Sequence, residues 1–180
     1  MISNSIPYVT CILVLINAIS YVYETRVGLD GVTVRYGMYK GALQCRGWKR
    51  LFYSAFLHSG LFHIISNMIC LVSFGVFLEN KIGPLWYLFI YFCGIVGAGL
   101  LINYVGGKGN HIGASGAIWA LMVATLILNV MNNSDLTYAF QGIALNVIYT
   151  FSAKVSWQGH IGGCIGGIVA ILIMMSTKCM

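Results

Sequence analysis

Six apolar stretches leave few folds open to this chain: residues 6–23, 61–79, 84–104, 114–131, 136–152 and 158–177. Each lies within or close to the roughly 17 to 25 residues that a helix needs to cross a hydrocarbon core, and their spacing leaves little room for anything but helices. Composition agrees. Of 180 residues, 59% are hydrophobic and 8% charged, against roughly 25% charged in soluble domains. The chain reads as an all-α, multi-pass integral membrane protein, a single six-helix domain over residues 1–180.

The first stretch lacks a charged leader and a clear small-residue cleavage site, so it reads as a retained helix rather than a signal peptide. No soluble appendage is expected at either end. Four connections between the stretches are short, which makes sequential helices antiparallel. The exception is the segment 24–60, glycine-punctuated and read as irregular or re-entrant. Its Trp48, Phe52, Tyr53 and Phe56 suit the membrane interface. Six of the chain's ten basic residues, Arg26, Arg35, Lys40, Arg46, Lys49 and Arg50, fall in that segment. Their expected partners are lipid headgroups of the bilayer, not nucleic acid. The six cysteines show no CxxC spacing, so neither a disulfide framework nor a zinc site is expected, and no cofactor is implied.

Polar residues at membrane depth need a reason. His58 and His111 lie in or beside loops and read as shallow. His63 and Asn67 are four residues apart and share a face of the second helix. Ser115 opens the fourth helix between Gly113, Ala114, Gly116 and Ala117, and His160 opens the sixth inside a run with Gly159, Gly163 and Gly167 at four-residue spacing. That spacing permits close helix approach. Counting crossings puts His63, Ser115 and His160 on one membrane face, a few residues into three parallel helices.

A serine hydroxyl becomes a useful nucleophile when a base takes its proton, and histidine suits that work near neutral pH. A carboxylate commonly orients such a histidine. Here Glu79 and Asp135 fall on the opposite face, while Glu24 and Asp30 sit in the long segment beside a different helix, so a Ser115–His160 dyad is favoured over a triad. Trp119, four residues after Ser115, is placed to pack on the His160 ring. His63, Asn67 and the Ser115 backbone N–H are candidate donors to an oxyanion.

These residues resemble those of the rhomboid intramembrane serine proteases over nearly the whole chain. "HIISN" (63–67), "GASG" (113–116) and "GHIGGCIGG" (159–167) occur in the family's order, supported by Trp48, Arg50, "GVFLE" ending at Glu79 and "GIVGAG" at 94–99. The resemblance implies a six-helix rhomboid bundle in which Ser115 is the nucleophile and His160 its base. It further implies that His63, Asn67 and Gly113 serve the oxyanion, and that Gly116 and Trp119 support the pair. The implied activity is cleavage of single-pass membrane proteins within or near their membrane segments, without a metal. Eight Lys and Arg residues lie on the catalytic face, which by charge alone would make that face cytoplasmic. The resemblance instead places it outside, and the minimal six-helix form fits a plasma membrane. A client-binding pseudoprotease and a small transporter remain as alternatives.

Overall fold

The computed structural model describes residues 6–137, 139–144 and 156–178. Helix α1 spans Tyr8–Val27 and α2 spans Leu29–Tyr36; α3, Lys49–Tyr53, runs into a 3-10 turn, Ser54–Phe56. Next come α4 (Leu61–Ile82), α5 (Pro84–Val105), α6 (Ser115–Met131) and α7 (Trp157–Lys178). Four of these, α1, α4, α5 and α7, are long and apolar enough to cross a membrane, and α6 is a shorter apolar helix. The protein is thus a helical integral membrane protein. Of the fifth predicted span, residues 139–144 are helical and 145–152 lie outside the described residues.

The segment 24–60 is more ordered than its glycines imply. Residues 24–27 extend α1 by a further turn, and α2, α3 and the 3-10 turn fill much of the remainder. The α4–α5 junction follows from its residues. Gly83, at φ +87°, ends α4 with its N–H on the Glu79 carbonyl, and Pro84 occupies the first turn of α5. Glycine tolerates the left-handed backbone, and proline loses nothing where no intrahelical N–H bond exists.

Glu79 also accounts for one of the four acids. Its carboxylate accepts from Val9 N (2.9 Å), Thr10 N (2.8 Å) and Thr10 Oγ1 (2.8 Å). These are amides of the first turn of α1, which have no intrahelical acceptor and sit at the positive end of the helix dipole. The bond set ties α1 to the far end of α4 and satisfies a buried charge.

At the centre stands α6, whose Ala117, Ile118, Ala120, Leu121, Met122 and Ala124 are all buried, with α4, α5 and α7 packed around it. At 17 residues against 22 for α5, α6 is shorter by about 7.5 Å. Glycines set how closely α7 approaches. A Cβ on Gly163 would overlap the Gly116 carbonyl of α6, and one on Gly167 would lie 2.7 Å from the Ala120 carbonyl. A second stripe faces α5, where Cβ atoms on Gly162 and Gly166 would overlap the carbonyls of Gly97 and Cys93. Gly159, the first of the four-residue series, has room: its Cβ would meet Ile102 Cδ1 at 3.4 Å.

Candidate active site

Ser115 is the first residue of α6, and Ala114 before it offers no side-chain cap. The first-turn amides, Ser115 N–H among them, therefore have no acceptor within the helix. Across the α6–α7 contact, His160 Nε2 lies 3.1 Å from Ser115 Oγ. The separation reflects the glycine packing just described, since His160 is three residues before Gly163. Trp119 stacks on the His160 ring, centroids 5.3 Å apart and planes at 27°. For Nε2 to take the serine proton, the ring must carry its own proton on Nδ1.

His63 faces the same point from α4. The Ser59 main-chain N–H donates to His63 Nδ1 at 3.3 Å, and Ser59 Oγ lies 3.1 Å from the same nitrogen. An amide N–H can only donate, so Nδ1 is an acceptor and the neutral ring carries its proton on Nε2. That Nε2 is buried and has no hydrogen-bond partner among the described residues. It points into the space a side chain at 113 would fill: a Cβ there would lie 2.8 Å from His63 Nε2 and 3.8 Å from Ser115 Oγ. Gly113, at φ +126°, leaves that space open and adopts a backbone angle other residues avoid. An N–H donor thus looks across a gap at the serine oxygen.

Asn67 is buried beside His63, and its Nδ2 donates to the His63 carbonyl at 3.1 Å, within its own helix. The Gly113 N–H is engaged elsewhere, donating to the Ser54 carbonyl at 2.9 Å. In this arrangement Gly113 contributes space to the site, not the donor its place among the oxyanion residues would need. Gly116 supports the pair through packing, since a Cβ there would lie 2.5 Å from Ala98 Cβ and 3.3 Å from the Gly159 carbonyl.

One sequence expectation needs correction and another is refined. His58 lies in the connection before α4, as expected, but its side chain is fully buried, its ring edge-on to His63 with centroids 5.0 Å apart. Burial, with a smaller contribution from the neighbouring His63, pushes its pKa down to about 3. Glu24 does not sit in a loop. It lies in the last turn of α1 with no exposed surface, and its Oε2 accepts the His58 N–H at 2.8 Å. His111, partly buried, pairs its backbone with Met38 (2.9 and 2.6 Å), and burial lowers its pKa. This pairing ties the loop before α6 to the segment before α3.

A cavity of about 40 Å³ adjoins the serine, bordered by Leu51, Ser54, Ile112, Gly113, Ser115 and Gly159. A water needs only about 10–15 Å³ measured in this way. The site therefore has a hydroxyl, an imidazole in contact with it, an opposed N–H and room for a water.

Residues 45–177 match the Rhomboid domain. The chain belongs to the rhomboid family. It is 32% identical to the rhomboid protease GluP of Bacillus subtilis over 145 residues, 76% of this chain and 28% of that protein. It is 30% identical to RHOMBOID-like protein 1 of Arabidopsis thaliana over 127 residues, 67% of this chain and 33% of that protein. RHOMBOID-like protein 6, mitochondrial, from the same plant is 30% identical over 134 residues, 70% of this chain and 43% of that protein. The chain thus spans a third or less of the first two relatives' length. Sequence reasoning missed Ser59 and the buried role of Glu24, although "HSGLFH" places Ser59 four residues before His63, one helical turn away.

Proposed function

We propose that this rhomboid is an intramembrane serine endopeptidase that cleaves single-pass transmembrane proteins within or near their membrane segment. The carrying observation is the 3.1 Å Ser115 Oγ–His160 Nε2 contact, opposed across Gly113 by a buried His63 Nε2–H. Ser115 Oγ attacks the scissile carbonyl carbon while His160 Nε2 takes its proton. Negative charge develops on the carbonyl oxygen in the space before Gly113, where His63 Nε2–H and the Ser115 N–H can stabilise it. Asn67 adds its second amide hydrogen. The C–N bond then breaks as His160 returns the proton to the leaving amine. A water from the adjoining cavity, deprotonated by His160, hydrolyses the acyl-enzyme and regenerates Ser115. The substrate helix must unwind locally, because an amide within an intact helix is bonded and shielded.

The test is reaction with a fluorophosphonate, together with cleavage of a reconstituted single-pass substrate, in wild type, Ser115→Ala and His160→Ala. Labelling and cleavage confined to wild type are expected. Cleavage retained by a folded Ser115→Ala protein would overturn the assignment, and a folded wild type inert in both assays would turn the reading toward a client-binding pseudoprotease. We further place the serine's side of a plasma membrane away from the cytoplasm. Lys40→Cys should then be labelled by an impermeant maleimide from outside and Lys81→Cys from within.

A further inference from the structure

The geometry points to a binding site for an anionic phospholipid in the cleft between α1, α2 and α3, on the opposite side of the α3 segment from the catalytic cavity. The cleft has a volume of about 860 Å³, within the range of specific small-molecule pockets. Along α1 it is floored by Ile16, Ile19 and Tyr23, a stripe about 10 Å long. These residues stay 41%, 60% and 50% exposed, so no part of the described chain covers them. The opposite wall is Phe52, Tyr53 and Phe56. Such a trough accepts hydrocarbon.

Its charge selects the headgroup. Arg35, in the last turn of α2, and Lys49, at the start of α3, are the charged residues lining it, and no carboxylate does. Both are exposed, and among the described residues neither forms an ion pair. The Arg35 guanidinium lies 5.3 Å from the Tyr36 ring and the Lys49 ammonium 5.6 Å from the Trp48 ring. Aromatic rings beside two free cations at the interface fit a phosphate, with its acyl chains in the trough.

The position of the cleft gives such a lipid a consequence. The short segment from α3 to the 3-10 turn is a wall with two faces: Phe52, Tyr53 and Phe56 line the cleft, while Leu51, Ser54 and Ala55 line the catalytic cavity. Ser54 holds the Gly113 N–H through its carbonyl. A lipid seated in the cleft braces that wall against the serine. The binding stands independently of the protease reading, whereas an effect on turnover rests on it.

The test uses the full chain in nanodiscs of phosphatidylcholine with or without phosphatidylglycerol, followed by native mass spectrometry of the released protein. Wild type should retain phosphatidylglycerol in preference to phosphatidylcholine. Arg35→Gln/Lys49→Gln should lose that preference by about tenfold or more, from roughly 1 kcal/mol per cation. Lys40→Gln/Lys108→Gln, on another part of the surface, should keep it, as should the charge-conserving Arg35→Lys/Lys49→Arg. Equal retention of the two lipids by wild type, or an unchanged preference in Arg35→Gln/Lys49→Gln, overturns the site. Fluorophosphonate labelling in the same discs should accelerate with phosphatidylglycerol in wild type and in the two control pairs that keep the lipid, and not in Arg35→Gln/Lys49→Gln. A rate indifferent to the lipid removes the bracing role, whereas no labelling in any lipid counts against the protease reading and leaves retention to decide the site.

Discussion

At the level of single residues, the proton on His63 is positioned by a main-chain amide. Ser59 N–H fixes Nδ1 as acceptor, and the Nε2–H then faces the gap that Gly113 leaves open. Gly113→Ala should close that gap, with its Cβ 2.8 Å from Nε2, and should also strain a backbone at φ +126°. We expect cleavage to fall by about 10² to 10³, the usual cost of losing an oxyanion donor, with steady-state rates as the check. A wild-type rate would show that the oxyanion forms elsewhere. Glu24 reaches the same turn through His58 N–H. Glu24→Ala strands that buried amide and should cost about 1–3 kcal/mol of stability, whereas Glu24→Gln keeps an acceptor and should melt near wild type. Equal melting of the two variants would deny the bond its importance. Ser115, His160, His63 and Trp119 were legible because helical spacing and the parity of crossings relate side chains across the chain. Glu24 and Ser59 were not, because each acts on or through a main-chain N–H, which leaves no side-chain pattern to read.

At the level of elements, the glycines of α7 divide into two stripes. Gly163 and Gly167 meet α6, and Gly162 and Gly166 meet α5. Four-residue spacing announced one close-packed face but could not distinguish a glycine against a carbonyl from one with space before it. Gly163→Ala should therefore destabilise the protein by about 1–3 kcal/mol or more as α6 and α7 are forced apart, and should slow labelling of Ser115. Gly159→Ala should leave the melting temperature unchanged, because its added carbon makes an ordinary 3.4 Å contact. Thermal melting of both variants in one detergent checks the pair, and equal losses would refute the division. Long apolar spans were legible for the same reason that they are helices: length and hydrophobicity suffice. The short α2 and α3 were hidden because eight and five residues carry too little periodicity to rise above the glycines around them.

At the level of the whole molecule, acid should loosen the fold through His58. Its folded pKa of about 3 lies below the ordinary 6.5, so the unfolded chain takes up a proton that the folded chain refuses. The stability is complete above about pH 6.5 and is lost as pH falls toward 3, by at most about 1.4 kcal/mol per pH unit. The drop in Tm between pH 7 and 5 should shrink in His58→Gln; an unchanged drop would assign the acid sensitivity to other groups. Finally, α1 is held by carboxylates at both ends, Glu79 gripping Val9 and Thr10 at its start and Glu24 gripping His58 at its finish. A helix clasped at both ends cannot slide past α4 to match a thicker or thinner bilayer. The two must tilt together or leave the lipid to deform, so a change in bilayer thickness is passed as a rigid rotation to the turn that carries His58, Ser59 and His63.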